Sequence, residues 1–185
     1  MSNYPLKWIT DDLAVGCVPM FQPDLDVMKQ HGIDAIVNLC GEFFDLHEIQ
    51  AEAGFKVYFF PILDECAPDM AAMEAAFAWM DTAIAKGNKI LVHCRFGIGR
   101  TGTFVAAYLM QHGLGMKAAV KALKHTRANP THYCQWKMLR KYKKKLKSDN
   151  GLPEDRATED PEAGMSKNRG RNFRPNERPT SNIEH

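Results

Sequence analysis

Short apolar runs alternate with stretches of helical spacing along residues 1–147. Residues 34–39 (DAIVNL), 56–60 (KVYFF) and 90–92 (ILV) are brief, mostly apolar runs, and read as buried strands. Near the N-terminus, Trp8-Ile9 and the run from Leu13 to Gly16 read as a short hairpin or a pair of edge strands. Helices are expected over 25–30, stopped by Gly32 as a left-handed cap, and over 45–53, closed by Gly54. A longer helix is expected over 69–86 with Gly87 past its end, followed by helices over 100–111, 116–124 and 131–147. Strands alternating with helices predict an α/β fold, with a central, mostly parallel sheet flanked by helices on both faces.

Composition changes this picture at the C-terminal end. Residues 148–185 are rich in Pro, Gly, Asn and charge and carry hardly any aliphatic side chains. Such a segment buries too little apolar surface to offset its ordering entropy, so a disordered tail is expected after a domain of residues 1–147. A net charge of +2 gives no argument for a nucleic-acid partner. No stretch is apolar enough for a bilayer span, and MSNYPLKWITDD lacks the basic-then-apolar build of a signal peptide, so the expected location is cytoplasmic. The five cysteines are scattered without a C-x-x-C pair, which argues against a disulfide framework and against a structural zinc site.

The candidate chemistry lies in HCRFGIGRTG, residues 93–102, at the C-terminal end of an expected strand. Open α/β sheets bind their ligands at such ends. A plain turn explains Gly97 and Gly99 but leaves Cys94, Arg100 and Thr101 without a purpose. Gly97, Gly99 and Gly102 satisfy the dinucleotide pattern G-x-G-x-x-G, yet residues 103–130 contain no acid to hold a ribose. A nucleoside-triphosphate loop needs a Gly-Lys-Ser/Thr ending that is absent here. The remaining reading takes Cys94 as a nucleophile and the loop as an anion cradle. Backbone N–H groups running into a helix N-terminus form a nest for a tetrahedral anion, and the Arg100 fork grips two of its oxygens. The same positive field favours the Cys94 thiolate, and the Thr101 hydroxyl can donate to the sulfur.

VHCRFGIGRTGT resembles the signature loop of the cysteine-dependent protein tyrosine phosphatase superfamily: His-Cys, five residues, then Arg-Ser/Thr. The chain resembles the compact dual-specificity branch over residues 8–142. The resemblance implies a protein tyrosine phosphatase-like fold that hydrolyses phosphate monoesters through a phosphocysteine, without metal or cofactor. It implies backbone amides of Arg95, Phe96, Gly97, Ile98 and Gly99, together with Arg100, as the phosphate-binding set. The expected substrate is a phosphorylated protein and the expected state a monomer. Phosphoinositide or RNA 5′-triphosphate substrates, and a phosphate-binding adaptor without turnover, are the alternatives. The absence of lysine from the loop speaks against the lipid.

The family places a general acid on a mobile loop after a strand, and here PILDECAPDM follows residues 56–60. Asp64 is the expected acid, with Glu65 its competitor; Asp69 fits the first turn of the next helix, where an acid suits the dipole. His93 is expected to orient the loop. In TRANPTHYCQWKMLRKY, Gln135 is a candidate for positioning the attacking water, against a surface amide, and Arg127 is expected to be structural. Cys40 reads as buried filler, with a reversible disulfide to Cys94 as the alternative. The basic run RKYKKKLK, residues 140–147, suits a helix C-terminus.

Overall fold

The computed structural model describes residues 4–150. Five strands form one sheet in the order β1-β2-β5-β3-β4: β1 (Lys7–Trp8), β2 (Leu13–Gly16), β3 (Ile33–Cys40), β4 (Lys56–Ile62) and β5 (Lys89–His93). β1 runs antiparallel to β2, and the other pairings are parallel. The hairpin expected at the N-terminus forms. Of its two strands only β1 is an edge, because β2 also pairs with β5 and all four of its residues are buried.

Side-chain alternation sorts the central strands onto two cores. Ile90 and Val92 of β5, with Leu13 and Val15 of β2, face the larger one, while Leu91 and Ala14 face the smaller. The smaller core is closed by Leu25 and Met28 of α1 (Gln22–Gln30) and by Phe55. The larger core is covered by α3 (Met70–Ala85), α4 (Gly99–Gln111), α5 (Met116–Ala122) and α6 (Tyr133–Asn150). Phe77 of α3 meets Phe104 and Tyr108 of α4 edge-on, at ring-centroid distances of 5.0 and 5.3 Å. Residues 100–110 of α4 are all buried, which gives the helix that follows the candidate loop a rigid seat. The remaining helix, α2 (Leu46–Glu52), leads into β4.

Helix boundaries shift where side chains cap them. α1 starts three residues before the expected 25–30, because Pro23 is tolerated in a first turn and Asp24 Oδ2 accepts from Met20 and Phe21 N–H. Gly32 takes the expected left-handed conformation, φ 77°. Asp69 precedes α3 as its N-cap and accepts from Ala72 N–H at 3.0 Å. Residues 148–150 of the expected tail continue α6, and the rest of that tail lies outside the described residues. Among the described residues no helix is long and apolar enough to cross a membrane.

Candidate active site

β5 lies in the middle of the sheet, and its C-terminal end delivers Cys94 into the loop that becomes α4 at Gly99. Cys94 is a buried free thiol. Two contacts fix the loop behind it. Val18 N–H donates to the Arg95 carbonyl at 3.2 Å, and Gly97 presses on the turn after β2. Gly97 has φ 66°, and a Cβ there would stand 2.4 Å from the Gly16 carbonyl oxygen, so no other residue fits. Gly102 N–H makes an α-helical bond to Ile98 at 2.7 Å. The N–H groups of Gly99, Arg100 and Thr101 thus belong to the first turn, which has no intrahelical acceptors for them and favours an anion.

Arg100 is 2% exposed, and both Nη nitrogens of its guanidinium are engaged. Nη1 and Nη2 donate to Glu42 Oε2 and Oε1 at 2.7 and 2.8 Å, and Nη1 also donates to the Ile62 carbonyl at 3.0 Å. Nη2 lies 3.0 Å from Asp64 Oδ1. Burial opposes the charge, but the Glu42 hydrogen bonds and the nearby Cys94 and Asp64 outweigh it, and the guanidinium stays protonated well above its ordinary range. The Arg100 hydrogen bond holds the Glu42 carboxyl below the usual carboxylate range.

The two competing acids separate. Asp64 reaches Arg100, whereas Glu65 turns away with φ 62° and places Oε1 3.6 Å from His132 Nε2. Gln135 is not a surface amide. It is buried; Oε1 accepts from Thr131 and His132 N–H at 2.9 and 3.2 Å, and Nε2 donates to the Cys66 carbonyl at 3.2 Å. It also packs over Gly99, where an added Cβ would meet its amide at 3.1 Å. Gln135 therefore ties the Asp64 loop, the start of α6 and the start of α4 together. The Thr101 hydroxyl is buried and has no hydrogen-bond partner among the described residues, so the expected bond to Cys94 Sγ is not made. Arg95 and Phe96 are exposed at the rim, with the guanidinium 5.1 Å from the ring centroid, and Ile98 is partly buried beside them. Arg127 is exposed and lines a cleft with Lys7, Cys17 and His125 that borders the loop at Phe96 and Gly97.

A family model described as "Polymorphic toxin system, DSP-PTPase phosphatase" matches residues 15–114, from β2 through the loop and α4. The chain belongs to this family. It is 34% identical over 129 residues to dual specificity protein phosphatase 6 of Homo sapiens, a match covering 69% of this chain and 33% of that protein. It is also 34% identical over 98 residues to dual specificity phosphatase 28 of Homo sapiens, covering 50% of this chain and 54% of that one. The chain thus spans between a third and about half of the length of these curated relatives. Among solved structures, Tk-PTP in its active form superposes with a TM-score of 0.66 at 26% identity, covering 75% of this chain and 96% of that one. A mouse putative dual specificity phosphatase complexed with zinc tungstate gives a TM-score of 0.69 at 25% identity, covering 83% and 96%.

Within this dual-specificity fold, three polar residues escape the sequence. Glu42 follows β3, and its one signal is an acid just past the end of a core strand. Asn38 and Gln50 are fully buried, and no periodicity marks them. They meet His93, whose Nε2 lies 2.8 Å from Gln50 Nε2 and whose Nδ1 lies 3.8 Å from Cys40 Sγ. Burial pushes the His93 pKa down to about 3, against the opposing pull of a hydrogen bond with the Cys94 backbone. Burial also raises the Cys40 thiol, with Glu42 and Cys94 acting in the same direction. Among the described residues no cluster of His, Cys, Asp and Glu is arranged to hold a metal ion.

Proposed function

We propose that this chain hydrolyses phosphate monoesters on phosphorylated proteins through a phosphocysteine. The observation that carries the reading is the placement of Arg100 beside the Cys94 loop, its guanidinium clasped by Glu42 and touching Asp64. Cys94 Sγ attacks phosphorus in line; the S–P bond forms as the P–O bond to the leaving group breaks. First-turn N–H groups and Arg100 bind the equatorial oxygens. Protonated Asp64 transfers its proton to the leaving oxygen. Water then attacks phosphorus, Asp64 takes its proton, and the S–P bond breaks to release inorganic phosphate.

The Thr101 hydroxyl, with no competing partner, is available to donate to the departing thiolate. Gln135 acts through the loops it ties, since delivering water would require its amide to leave one of three backbone partners. The exposed Arg95–Phe96 pair at the rim suits an aryl phosphate on a polypeptide, and the family and its relatives favour protein substrates.

The test is Cys94→Ser in the full chain. Turnover of p-nitrophenyl phosphate should vanish while tungstate binding persists, and activity surviving in the purified variant would overturn the nucleophile assignment. A panel of phosphopeptides, inositol lipids and 5′-triphosphorylated RNA assigns the substrate class, with phosphopeptides expected to give the highest kcat/KM.

A further inference from the structure

Gln50 is the one buried residue of α2, at a position where an aliphatic side chain would seal the helix onto the sheet. A buried amide costs about 1–3 kcal/mol wherever a donor or acceptor is left unpaired. Here both ends are paired, and so are both ends of the neighbouring Asn38. An apolar pair would pack at lower risk, so folding alone gives no reason for two amides here.

The hydrogen bonds of this cluster run in one direction only. The Cys40 backbone N–H can only donate, and it bonds Asn38 Oδ1 at 2.9 Å. That fixes the Asn38 amide, whose Nδ2 donates to Gln50 Oε1 at 3.2 Å. Gln50 must then present Nε2, a donor, to His93 Nε2 at 2.8 Å. His93 Nε2 is forced to accept, which leaves the imidazole proton on Nδ1. Nδ1 is the edge turned to Cys40 Sγ at 3.8 Å, and the Cys94 backbone acts on the same imidazole.

We propose that Asn38 and Gln50 are positioning residues for the nucleophile: their directed amide chain holds the His93 ring and its single proton, and through them the Cys94 backbone. The chain starts on β3, passes through α2 and ends at the last residue of β5, so it locks the strand end from which Cys94 departs. The groups facing His93 are Gln50 from α2, Cys40 from β3 and the Cys94 backbone, with Arg100 and Glu42 acting through their charges. A neutral His93 brings no charge of its own to the strand end that carries Cys94. The proposal rests on the phosphatase reading for its kinetic readout and is independent of it for its spectroscopic one.

Histidine-selective ¹⁵N labelling of the full chain tests it. The wild-type spectrum should show His93 with a protonated Nδ1 and a bare Nε2, unchanged from about pH 5 to pH 8, spanning the range in which an unburdened histidine titrates. In Gln50→Met, which keeps the volume and removes the donor, both tautomers should appear, with His93 still neutral because the ring stays buried. With p-nitrophenyl phosphate, kcat should fall on the order of 10- to 100-fold, the scale expected when a reacting group is slightly misplaced. Tungstate affinity should stay within about two-fold, since the oxyanion cradle is unchanged.

A wild-type His93 protonated on Nε2, or charged across the window, overturns the proposal. So does a Gln50→Met variant with mixed tautomers but an unaltered kcat. If that variant does not fold, the wild-type spectrum decides alone. If the wild type turns over no phosphate ester, the phosphatase reading fails, and the rate of Cys94 alkylation by iodoacetamide replaces kcat as the readout.

Discussion

Asp64 Oδ1 lies 3.0 Å from Arg100 Nη2, on the same guanidinium that Glu42 grips through both Nη nitrogens. The two acids do different work on one cation. Glu42 and the Ile62 carbonyl fix where the fork points. Asp64 is ion-paired on the Nη2 side, the side left for a phosphoryl oxygen because Nη1 is already spent on Glu42 and Ile62. In the proposed mechanism, a phosphoryl group bound by Arg100 would displace Asp64 from the guanidinium and leave its carboxyl free to act at the leaving oxygen.

Asp64→Asn should separate these roles. It removes the competing carboxylate and the proton donor together. Tungstate should bind at least as tightly as to the wild type, while kcat falls about 10²-fold or more for poor leaving groups, in the range general acids contribute. A leaving-group series with stopped-flow binding checks both. Glu65→Gln should leave the series unchanged.

Glu42→Ala removes a bidentate, charge-assisted contact from a buried guanidinium. The expected loss is about 1.5–3 kcal/mol in stability and a fall in kcat/KM, since Arg100 loses its aim. The acid response follows from the direction of the shift. The folded-state pKa of Glu42 is depressed, so its contribution is present above the ordinary carboxylate pKa and is lost as pH falls through the lowered value. Urea melts below about pH 5, where unfolded carboxylates begin to titrate, should show a shallower acid loss in Glu42→Ala than in the wild type.

His93 gives a second acid limb. Its folded pKa is lowered to about 3 from 6.5, so between those values the unfolded chain binds a proton that the native state refuses. Stability is full above pH 6.5 and should decline below it by up to about 1.4 kcal/mol per pH unit from this one group. His93→Gln should flatten that slope in melts between pH 4 and 7, a range set by the same two values.

Gly102→Ala should reverse the usual helix ranking. Alanine in a helix interior is better than glycine by about 1 kcal/mol. Here the new Cβ would lie 2.4 Å from the Asn129 backbone nitrogen, and backbone cannot rotate aside. The variant should melt lower than the wild type and lose activity, because α4 is pushed off the 126–131 segment. Thermal melts alongside p-nitrophenyl phosphate turnover check it.

Much of this protein was legible from its chain. The runs at 34–39 and 90–92 became β3 and β5, interior strands of a parallel sheet covered on both faces. The run at 56–60 became β4, but as an edge strand whose residues there are partly exposed, not the buried strand expected, because only one side of it has a neighbour. Cys94, the glycines and Arg100 stand together because their roles share one turn of backbone, which sequence spacing preserves. The sequence offered Asp64, with Glu65 its competitor on the same short loop, and only the structure shows that Asp64 reaches Arg100 while Glu65 faces His132.

The chain alone thus determined the strands, the loop after β5 and the residue types it carries, since these depend on local periodicity and on neighbours in sequence. Tertiary structure decided what holds them. Glu42, Asn38, Gln50 and Gln135 come from other segments of the chain, and each has a partner distant in sequence. A polar side chain in a strand or helix has no periodic signature for the group it will meet across a core. Its role exists only once the fold has excluded water and left that one partner within reach.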